Sequence, residues 1–225
     1  LDVSYSAFSE EAYMSLLSAM TSYKLKIPII FESISVSLNQ PQTFQKFIEL
    51  DFDHCFSNIL EFNFSRNKFP DDSSRFLFAL LFTQKHLRLL SLNQIEVNDP
   101  IDFLKNVLTL VASIKVPGLE LSGLNNCFEP SILAQFIAAL PVQAPHCFRT
   151  VSFQGCGAGD EGLKALTELV RNNKYLAEIS ADGFQPSDLN TLLEFWSEVV
   201  DHPNVVAVDY PEKDLQNLGV VVAKL

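Results

Sequence analysis

The stretch Phe148–Leu169, FRTVSFQGCGAGDEGLKALTEL, decides the fold of this 225-residue chain. It begins with an alternating pattern in which Phe148, Val151 and Phe153 are apolar, and Cys156 follows at the ninth position. A glycine-rich turn comes next, and apolar residues at helical spacing end the stretch. The stretch therefore predicts one unit of strand, tight turn and amphipathic helix, which we call the frame.

The frame recurs six more times along the chain. Such a near-constant period indicates a stack of repeats, because one unit cannot bury its apolar face alone and packs on its neighbours. The residue numbers of successive second apolar positions differ by 28, 28, 29, 32, 28 and 29. These positions are Ile34, Phe62, Leu90, Leu119, Val151, Ile179 and Val208.

The frame, with Asn67 or Cys156 at its ninth position, is typical of leucine-rich repeats. It predicts an α/β fold: a right-handed leucine-rich-repeat solenoid, or horseshoe, with a parallel sheet on the concave side and helices on the convex side. We expect a single domain over residues 1–225, with about seven repeats after a partial first one, that is a fragment of a longer protein.

Apolar stripes at spacings of three and four residues predict a helix after each strand. One is expected to open at Asp99-Pro100, a good N-cap and first-turn pair. The run Pro141–Cys147 is expected to be a two-proline loop, and Gly219–Leu225 is a strand-like run without an assigned partner. Further helices are predicted at about Ser9–Met20, Pro41–Leu50, Glu129–Leu140, Asp160–Arg171 and Ser187–Val200.

The composition indicates a folded, acidic body, with 48% hydrophobic and 19% charged residues and a net charge of −11. An acidic surface repels phosphate backbones and anionic lipid, which argues against nucleic acid and membrane surfaces and favours a basic protein partner. No apolar segment reaches the length of a membrane span, and no signal peptide is visible. The four cysteines show no paired spacing, so we expect reduced thiols and a cytoplasmic protein.

A glycine-rich motif, GAGDEG at residues 157–162, follows a predicted strand and opens a helix, with Asp182 about 20 residues further on. This arrangement is similar to a dinucleotide-binding fingerprint, in which a helix N-terminus holds the pyrophosphate. Asp160 and Glu161, however, occupy the place of the phosphates. We therefore expect no cofactor, and we interpret the glycines as the tight turn of the frame, with Asp160 capping the helix.

Residues suited to catalysis or metal binding do not cluster in the sequence. His54, His86, His146 and His202 precede strands at different offsets, and no acid or cysteine recurs at a matching spacing. No serine or cysteine lies in a nucleophile elbow. The sequence therefore predicts no metal site, no catalytic residue and no enzymatic activity.

The residues between the apolar frame positions are expected to form the concave face. They are small, polar and mildly acidic, and only Arg66 and Leu89 approach the aromatic or arginine anchors of tight interfaces. Either this face binds a basic, protruding partner, or the interface lies on the helices, the loops or further repeats. The candidate binding residues are Glu61, Asn63, Arg66, Leu89, Glu120, Glu178, Asp182 and Asp209.

Three segments carry a family resemblance: FNFSRNKF (Phe62–Phe69), GLELSGLNN (Gly118–Asn126) and ISADGFQPSDLNTLL (Ile179–Leu193), followed by Trp196. These segments, together with predicted helices rather than short turns between successive strands, resemble the ribonuclease-inhibitor class of leucine-rich repeats. Within that class they resemble the CARMIL family of actin-capping regulators. The resemblance implies a cytosolic, non-enzymatic scaffold near the actin cytoskeleton. The family's capping-protein-binding segment lies outside the repeats, so no functional residue is carried over.

Two further expectations concern association and an alternative role. Apolar solenoid ends that no further repeat covers invite end-to-end self-association. A GTPase-activating or other catalytic-accessory role is the alternative to a scaffold, because repeat proteins of this class sometimes perform it.

Overall fold

The described part of the chain in this computed structural model covers residues 60–69, 73–124, 128–145 and 147–210, with Ile29–Ile30 and a few residues before them. Among those few, Glu11, Ala12, Ser15 and Ala19 are helical, within the helix predicted over residues 9–20. The helix predicted over residues 41–50 and the run of residues 219–225 lie outside the described residues. The chain divides into two compact units, Leu1–Glu120 and Leu121–Leu225, which we call the N-terminal and C-terminal units.

Short strands alternate with longer helices in both units, as the frame predicts. The strands pair in parallel, so the fold is a mixed α/β one with a parallel sheet and helices. The elements are β1 Ile29–Ile30, β2 Glu61–Asn63, β3 Lys68–Phe69, α1 Ser73–Phe82, β4 Leu89–Ser91, β5 Glu96–Val97, α2 Pro100–Ile114, β6 Gly118–Glu120, α3 Pro130–Gln143, β7 Thr150–Ser152, α4 Gly159–Asn172, β8 Glu178–Ser180, α5 Leu189–Asp201 and β9 Ala207–Asp209.

The strand register of the N-terminal unit confirms two of the predicted spacings and corrects another. Phe62 lies opposite Leu90, and Leu90 lies opposite Leu119, as their spacings of 28 and 29 predict. Ile29, however, lies opposite Phe62, so the first frame copy at Ile34 is wrong in register. The segment contains two overlapping apolar alternations, and spacing alone does not choose between them. A small second sheet pairs β3 with β5.

The C-terminal unit repeats the arrangement with β7, β8 and β9. Val151 lies opposite Ile179, and Ile179 lies opposite Val208, again at the predicted spacings. The hydrogen bonds continue past the strands, because Phe153 N donates to Ser180 O at 2.8 Å. Neighbouring frame copies are therefore joined along their turns as well as along their strands.

The apolar frame positions form the core of each unit. Their side chains are buried because the pleat turns alternate residues of a strand to the same side, where the apolar stripes of the helices cover them. Phe62 and Phe64 stack with ring centroids 4.6 Å apart. The buried frame residues include Phe62, Phe64, Leu90, Leu92, Leu119, Leu121, Phe148, Val151, Phe153, Leu176, Ile179 and Phe184.

The ninth frame position holds a buried polar group, as predicted. Asn67 is buried and donates through Nδ2 to the carbonyl oxygens of Phe64 and Ser65, at 2.9 and 3.1 Å. The Cys156 thiol is also buried and donates to Leu121 O at 2.9 Å. The buried polar group thus donates to main-chain carbonyls, of its own turn for Asn67 and of the preceding frame copy for Cys156. Burial raises the pKa of Cys156 to about 11.

Two helix ends test the local predictions. Asp99 caps α2, because its Oδ1 accepts from Asp102 N at 3.0 Å and Pro100 opens the helix. The predicted loop from Pro141 is partly wrong, because α3 continues through Pro141 to Gln143. A proline removes one amide donor, but the following turn still closes, with Ala144 N donating to Leu140 O at 2.8 Å.

In the part of the chain that the structure describes, no helix has the length and apolarity needed to cross a bilayer.

We predict that Phe64→Ala lowers the free energy of unfolding by about 3–5 kcal/mol, because it leaves a cavity among fully buried side chains. Phe82→Ala is the matched control, since Phe82 is 40% exposed on α1, and it should cost about 1 kcal/mol or less. Urea unfolding of both variants measures the difference. Equal losses would contradict the assignment of the frame.

We also predict that Cys156 resists alkylation in the native protein. Its thiol is buried, and its raised pKa keeps the reactive thiolate scarce at neutral pH. Cys147 is half-buried and serves as the internal comparison. Iodoacetamide labelling followed by peptide mass spectrometry should modify Cys147 first and Cys156 only after denaturation. Equal labelling of the two thiols in the native state would contradict the burial of Cys156.

Candidate functional site

The strands expose one row of side chains on the side opposite the core, which we call the strand face. In the N-terminal unit this face carries Glu61, Asn63, Leu89, Ser91 and Glu120. In the C-terminal unit it carries Thr150, Ser152, Glu178, Ser180, Ala207 and Asp209, and Asp182 follows β8. The strand register places these residues in rows across neighbouring strands, because parallel strands in register bring equivalent side chains side by side.

The strand face of the N-terminal unit is largely occupied by its own hydrogen bonds. Glu120 accepts through Oε2 from Ser91 Oγ at 2.7 Å and from Asn93 Nδ2 at 3.1 Å. Asn63 accepts from Ser65 N at 2.9 Å. Ser91, expected to lie on an exposed face, is only 2% exposed. Of the predicted carboxylates in this unit, Glu61 is exposed, whereas Glu120 is half-buried and bound.

The two predicted anchors are less free than the sequence indicates. Arg66 is exposed, and its Nε donates to Gln94 Oε1 at 3.0 Å. Leu89 is half-buried and lies across its neighbour, because a Cβ added to Gly118 would come within 2.8 Å of Leu89 Cδ1. Glycine at position 118 thus makes room for Leu89, which packs on β6 rather than projecting as an anchor.

In the C-terminal unit, the carboxylates of the strand face accept fewer hydrogen bonds than Glu120 does. Asp209 accepts from Ser180 Oγ at 3.0 Å, and Asp182 accepts from Gln154 Nε2 at 3.3 Å, each through Oδ2 alone. Glu178 and Asp209 are exposed, and Asp182 is half-buried. Among the described residues of this unit, no Lys, Arg or His side chain forms an ion pair with these three carboxylates. Glu178, Asp182 and Asp209 therefore form the acidic part of the strand face of this unit, on β8, after β8 and on β9.

The helix side of the C-terminal unit uses its charges internally. Arg171 on α4 donates to Glu194 and Glu198 on α5, with Nη2 at 3.1 and 2.7 Å from their carboxylate oxygens, and it also contacts Glu168. The hydrogen bonds to Glu198 and Glu194 raise the pKa of Arg171. This cluster joins α4 to α5, so the carboxylates of Glu194 and Glu198 already have a cationic partner within the unit.

Asp160 does not cap α4, contrary to the prediction. The N-cap is Ala158, and Asp160 instead accepts from Ser187 N, Ser187 Oγ and Asp188 N at 2.9, 2.5 and 2.9 Å. Partial burial opposes ionisation of Asp160, but the hydrogen bonds from Ser187 and Asp188 outweigh it and lower its pKa. Asp160 thus fastens the start of α4 to the start of α5. A carboxylate in one frame copy, with a Ser-Asp pair at the matching place in the next copy, is the sequence signal for this clip.

The glycine motif at residues 157–162 serves the turn rather than a nucleotide. Gly157 N donates to Gly183 O at 3.1 Å, and Gly159 N donates to Phe184 O at 2.8 Å. A Cβ on Gly162 would clash with the Ala158 Cβ, so the turn has no room for a side chain there. The Gly157 and Gly159 amides are thus bonded to the next turn, which supports the interpretation of these glycines as part of the turn of the frame.

An open cleft of about 440 Å³ lies at the N-terminal ends of α3 and α4. Its lining includes the carboxylates of Glu129, Asp160 and Glu161. Three carboxylates oppose the attraction of helix N-termini for anions. The cleft therefore suits neither phosphate nor another anionic ligand.

The two described histidines, His86 and His202, lie in different surroundings. His202 ends α5, where its Nδ1 accepts from Asn204 N and Val205 N at 3.2 and 3.1 Å, and its Nε2 lies 3.1 Å from Asn173 O. His86 is exposed, whereas His54 and His146 lie outside the described residues. Within the described ranges, no three His, Cys, Asp or Glu side chains form a group that could hold a metal ion.

Comparisons with known proteins relate this chain to others through its fold. No family model matches the chain, and no curated protein matches its sequence. Among solved structures it is similar to the Rad7 chain in the crystal structure of the yeast Rad7 and Elc1 complex, with a TM-score of 0.55 and 15% sequence identity. The match covers 94% of this chain and 57% of that chain, so this chain spans little more than half of its length. At this identity the similarity shows the fold alone.

We predict that Asp160→Asn lowers the free energy of unfolding by about 1 kcal/mol at pH 7, because hydrogen bonds to a partly exposed carboxylate are weakened. Since folding lowers its pKa, the contribution of Asp160 is complete above about pH 4 and is lost as the pH falls through the lowered value. The difference in free energy of unfolding between the parent and Asp160→Asn should therefore shrink as the pH falls.

Urea unfolding at pH values from 7 to 3 measures this gap. Glu161→Gln is the matched control, because Glu161 is the exposed neighbour of Asp160 in the first turn of α4. The control should change the free energy of unfolding by about 0.5 kcal/mol or less. A gap for Asp160→Asn that stays constant with pH would contradict the clip.

Proposed function

We propose that this chain is a right-handed leucine-rich-repeat solenoid that binds other proteins and has no catalytic activity of its own. The near-constant spacing of 28 or 29 between paired strand centres within each unit supports the solenoid. The fold similarity to Rad7, a leucine-rich-repeat protein, supports it as well. Right-handed crossovers are the rule for strand, helix and parallel strand, which gives the proposed hand.

A strand face of a solenoid is a ready surface for a protein partner, because stacked repeats extend it in one direction. The observation that carries the proposal is the acidic part of this face, where Glu178, Asp182 and Asp209 have no cationic partner among the described residues. Their negative charge favours a basic partner, which electrostatic attraction would also steer to this surface.

Two further points support a role in protein assemblies. The solved Rad7 structure is a complex with Elc1, so a chain of similar fold associates with another protein. The sequence resemblance to CARMIL proteins supports a cytoplasmic scaffold linked to regulation of actin capping. The actin link rests on the sequence resemblance alone, and it names the class of partner to look for first.

The test is affinity capture from cytosolic extract with the parent chain and the double variant Glu178→Lys with Asp209→Lys. Both side chains are exposed, and neither substitution touches the core. We expect the variant to lose a basic protein that the parent retains. Actin-capping proteins among the retained partners would support the CARMIL-like role.

The matched control is Glu129→Lys with Asp201→Lys, which changes the net charge equally at exposed positions of the helix side. We expect this control to retain the partner, provided that circular dichroism shows all three proteins folded. Loss of the partner from both variants would mean that net charge alone attracts it. Retention by both would mean that the strand face does not bind it.

A further inference from the structure

Charge is distributed unevenly between the two units. The described residues between positions 60 and 120 of the N-terminal unit include seven Lys or Arg and five Asp or Glu residues. The described residues of the C-terminal unit include four Lys or Arg and eleven Asp or Glu residues. In a chain with a net charge of −11, the excess of cations in the described part of the N-terminal unit is unusual and indicates a surface of its own.

Basic residues of the N-terminal unit gather on the two loops that precede β4 and β6. Lys85, His86 and Arg88 lie between α1 and β4, and Lys115 lies between α2 and β6. All four side chains are exposed. We call these four residues the basic loop patch.

The strand register places the two loops side by side. Leu89 lies opposite Gly118, so the register continued three residues back along both chains aligns His86 with Lys115. The backbones are close at this point, because a Cβ added to Gly118 would come within 2.9 Å of Arg88 O. Neighbouring strands lie about 4.8 Å apart, so the charged groups of both loops can act on one ligand.

Buried residues and main-chain hydrogen bonds hold the backbone of both loops. Leu87 and Val116 are buried frame residues that alternate with the exposed cations. Arg88 N donates to Leu60 O at 2.7 Å, and Lys115 N donates to Val111 O at 3.0 Å. A held backbone loses less entropy when a ligand binds, which favours recognition by these side chains.

The cations of the basic loop patch have no ionic partner in the part of the chain that the structure describes. No Asp or Glu side chain there forms an ion pair with Lys85, Arg88 or Lys115. Glu61 lies opposite Leu89, one residue from Arg88, yet the two side chains form no ion pair. Arg171 of the C-terminal unit, by contrast, has three glutamate partners.

Helix dipoles account for only part of the patch. The C-terminal end of a helix attracts cations, and Lys115 is the C-cap of α2. The attraction falls off within the last helical turn, and Arg88 lies six residues beyond the end of α1 at Phe82. A ligand therefore explains the position of Arg88 better than the dipole of α1 does.

We propose that the basic loop patch binds a short acidic segment of a partner protein and recognises its carboxylates. Arg88 supplies a planar guanidinium, which can hold a carboxylate through two parallel hydrogen bonds. Lys85 and Lys115 supply further positive charge beside it. This partner is independent of the basic partner proposed for the strand face, so the chain joins two proteins of opposite charge.

A short acidic segment fits this chain better than a long polyanion does. A nucleic acid or an anionic membrane extends far beyond four side chains, and the net charge of −11 repels it. A short segment places its carboxylates at the patch, and at physiological salt the charges more than about 8 Å away are largely screened. The patch therefore favours local carboxylates over a continuous row of phosphates.

The test is fluorescence anisotropy of a labelled oligoglutamate peptide titrated with the full chain at low and at physiological ionic strength. We expect binding that weakens as salt is added. The variants Arg88→Glu and Lys115→Glu should each weaken binding about threefold to tenfold, because attraction becomes repulsion. Lys105→Glu is the matched control, since Lys105 is exposed on α2 of the same unit, and it should bind as the parent does.

Three results would overturn the proposal. No binding of oligoglutamate by the parent at low ionic strength would exclude a carboxylate site. Equal weakening by Lys105→Glu would trace the binding to net charge. Tighter binding of a single-stranded oligonucleotide or of phosphatidylserine vesicles, lost in Arg88→Glu, would assign the patch to phosphate groups. Circular dichroism establishes that each variant is folded.

Capture of a basic protein from cytosolic extract separates this proposal from the one for the strand face. We expect Arg88→Glu to retain that protein, because the substitution leaves Glu178 and Asp209 unchanged. Loss of oligoglutamate binding with retention of the basic protein would assign the two partners to two surfaces. Loss of both in a folded Arg88→Glu variant would contradict a separate acidic partner.

Discussion

Burial of the central side chain of each short strand against its neighbours is the interaction on which the described structure depends. The strands contain three residues or fewer, which is too few to be stable alone. Phe62, Leu90 and Leu119 meet in one unit, and Val151 and Ile179 meet in the other, and all five are buried. A shift of the strand register by one residue would turn such a side chain to the solvent side. The repeats of 28 and 29 residues keep the same register, so the extra residue lies outside the paired strands.

The same register determines the chemistry of the strand face. Since equivalent positions lie side by side, a polar residue in one frame copy meets a polar residue in the next. Glu120 accepts from two donors through Oε2, whereas among the described residues Asp209 accepts from the Ser180 side chain and Asp182 from the Gln154 side chain, one donor each. Whether an acid is available to a partner thus depends on the residue one repeat away more than on its own exposure.

The sequence predicted what depends on periodicity alone. The parallel pairing, the spacings within each unit, the buried frame residues and the Asp99 cap all follow from local patterns, and the structure confirms them. It predicted poorly what depends on the neighbouring repeat. The bonds of Asp160 to Ser187, the burial of Ser91 and the packing of Leu89 on Gly118 are all contacts between adjacent frame copies.

Two other differences have local causes. The register at Ile29 was missed because two apolar alternations overlap there, and only strand pairing distinguishes them. Helix α3 continues through Pro141 because a proline near a helix end costs one backbone hydrogen bond while the rest of the turn remains closed. Neither feature changes the composition of the strand face, whose acidic residues were identified from sequence alone.

The two sides of the C-terminal unit use charge in different ways. On the helix side, Arg171 pairs with Glu194 and Glu198, and Asp160 accepts from three donors, so these charges hold α4 and α5 together. On the strand face, Glu178 and Asp209 stay exposed without an ion pair among the described residues. In the strand register Glu178 lies beside Ala207, and Asp209 lies beside Ser180, so neither carboxylate faces another one across the strands. The charged groups that join α4 to α5 are thus bonded within the unit, whereas Glu178 and Asp209 stay exposed to solvent.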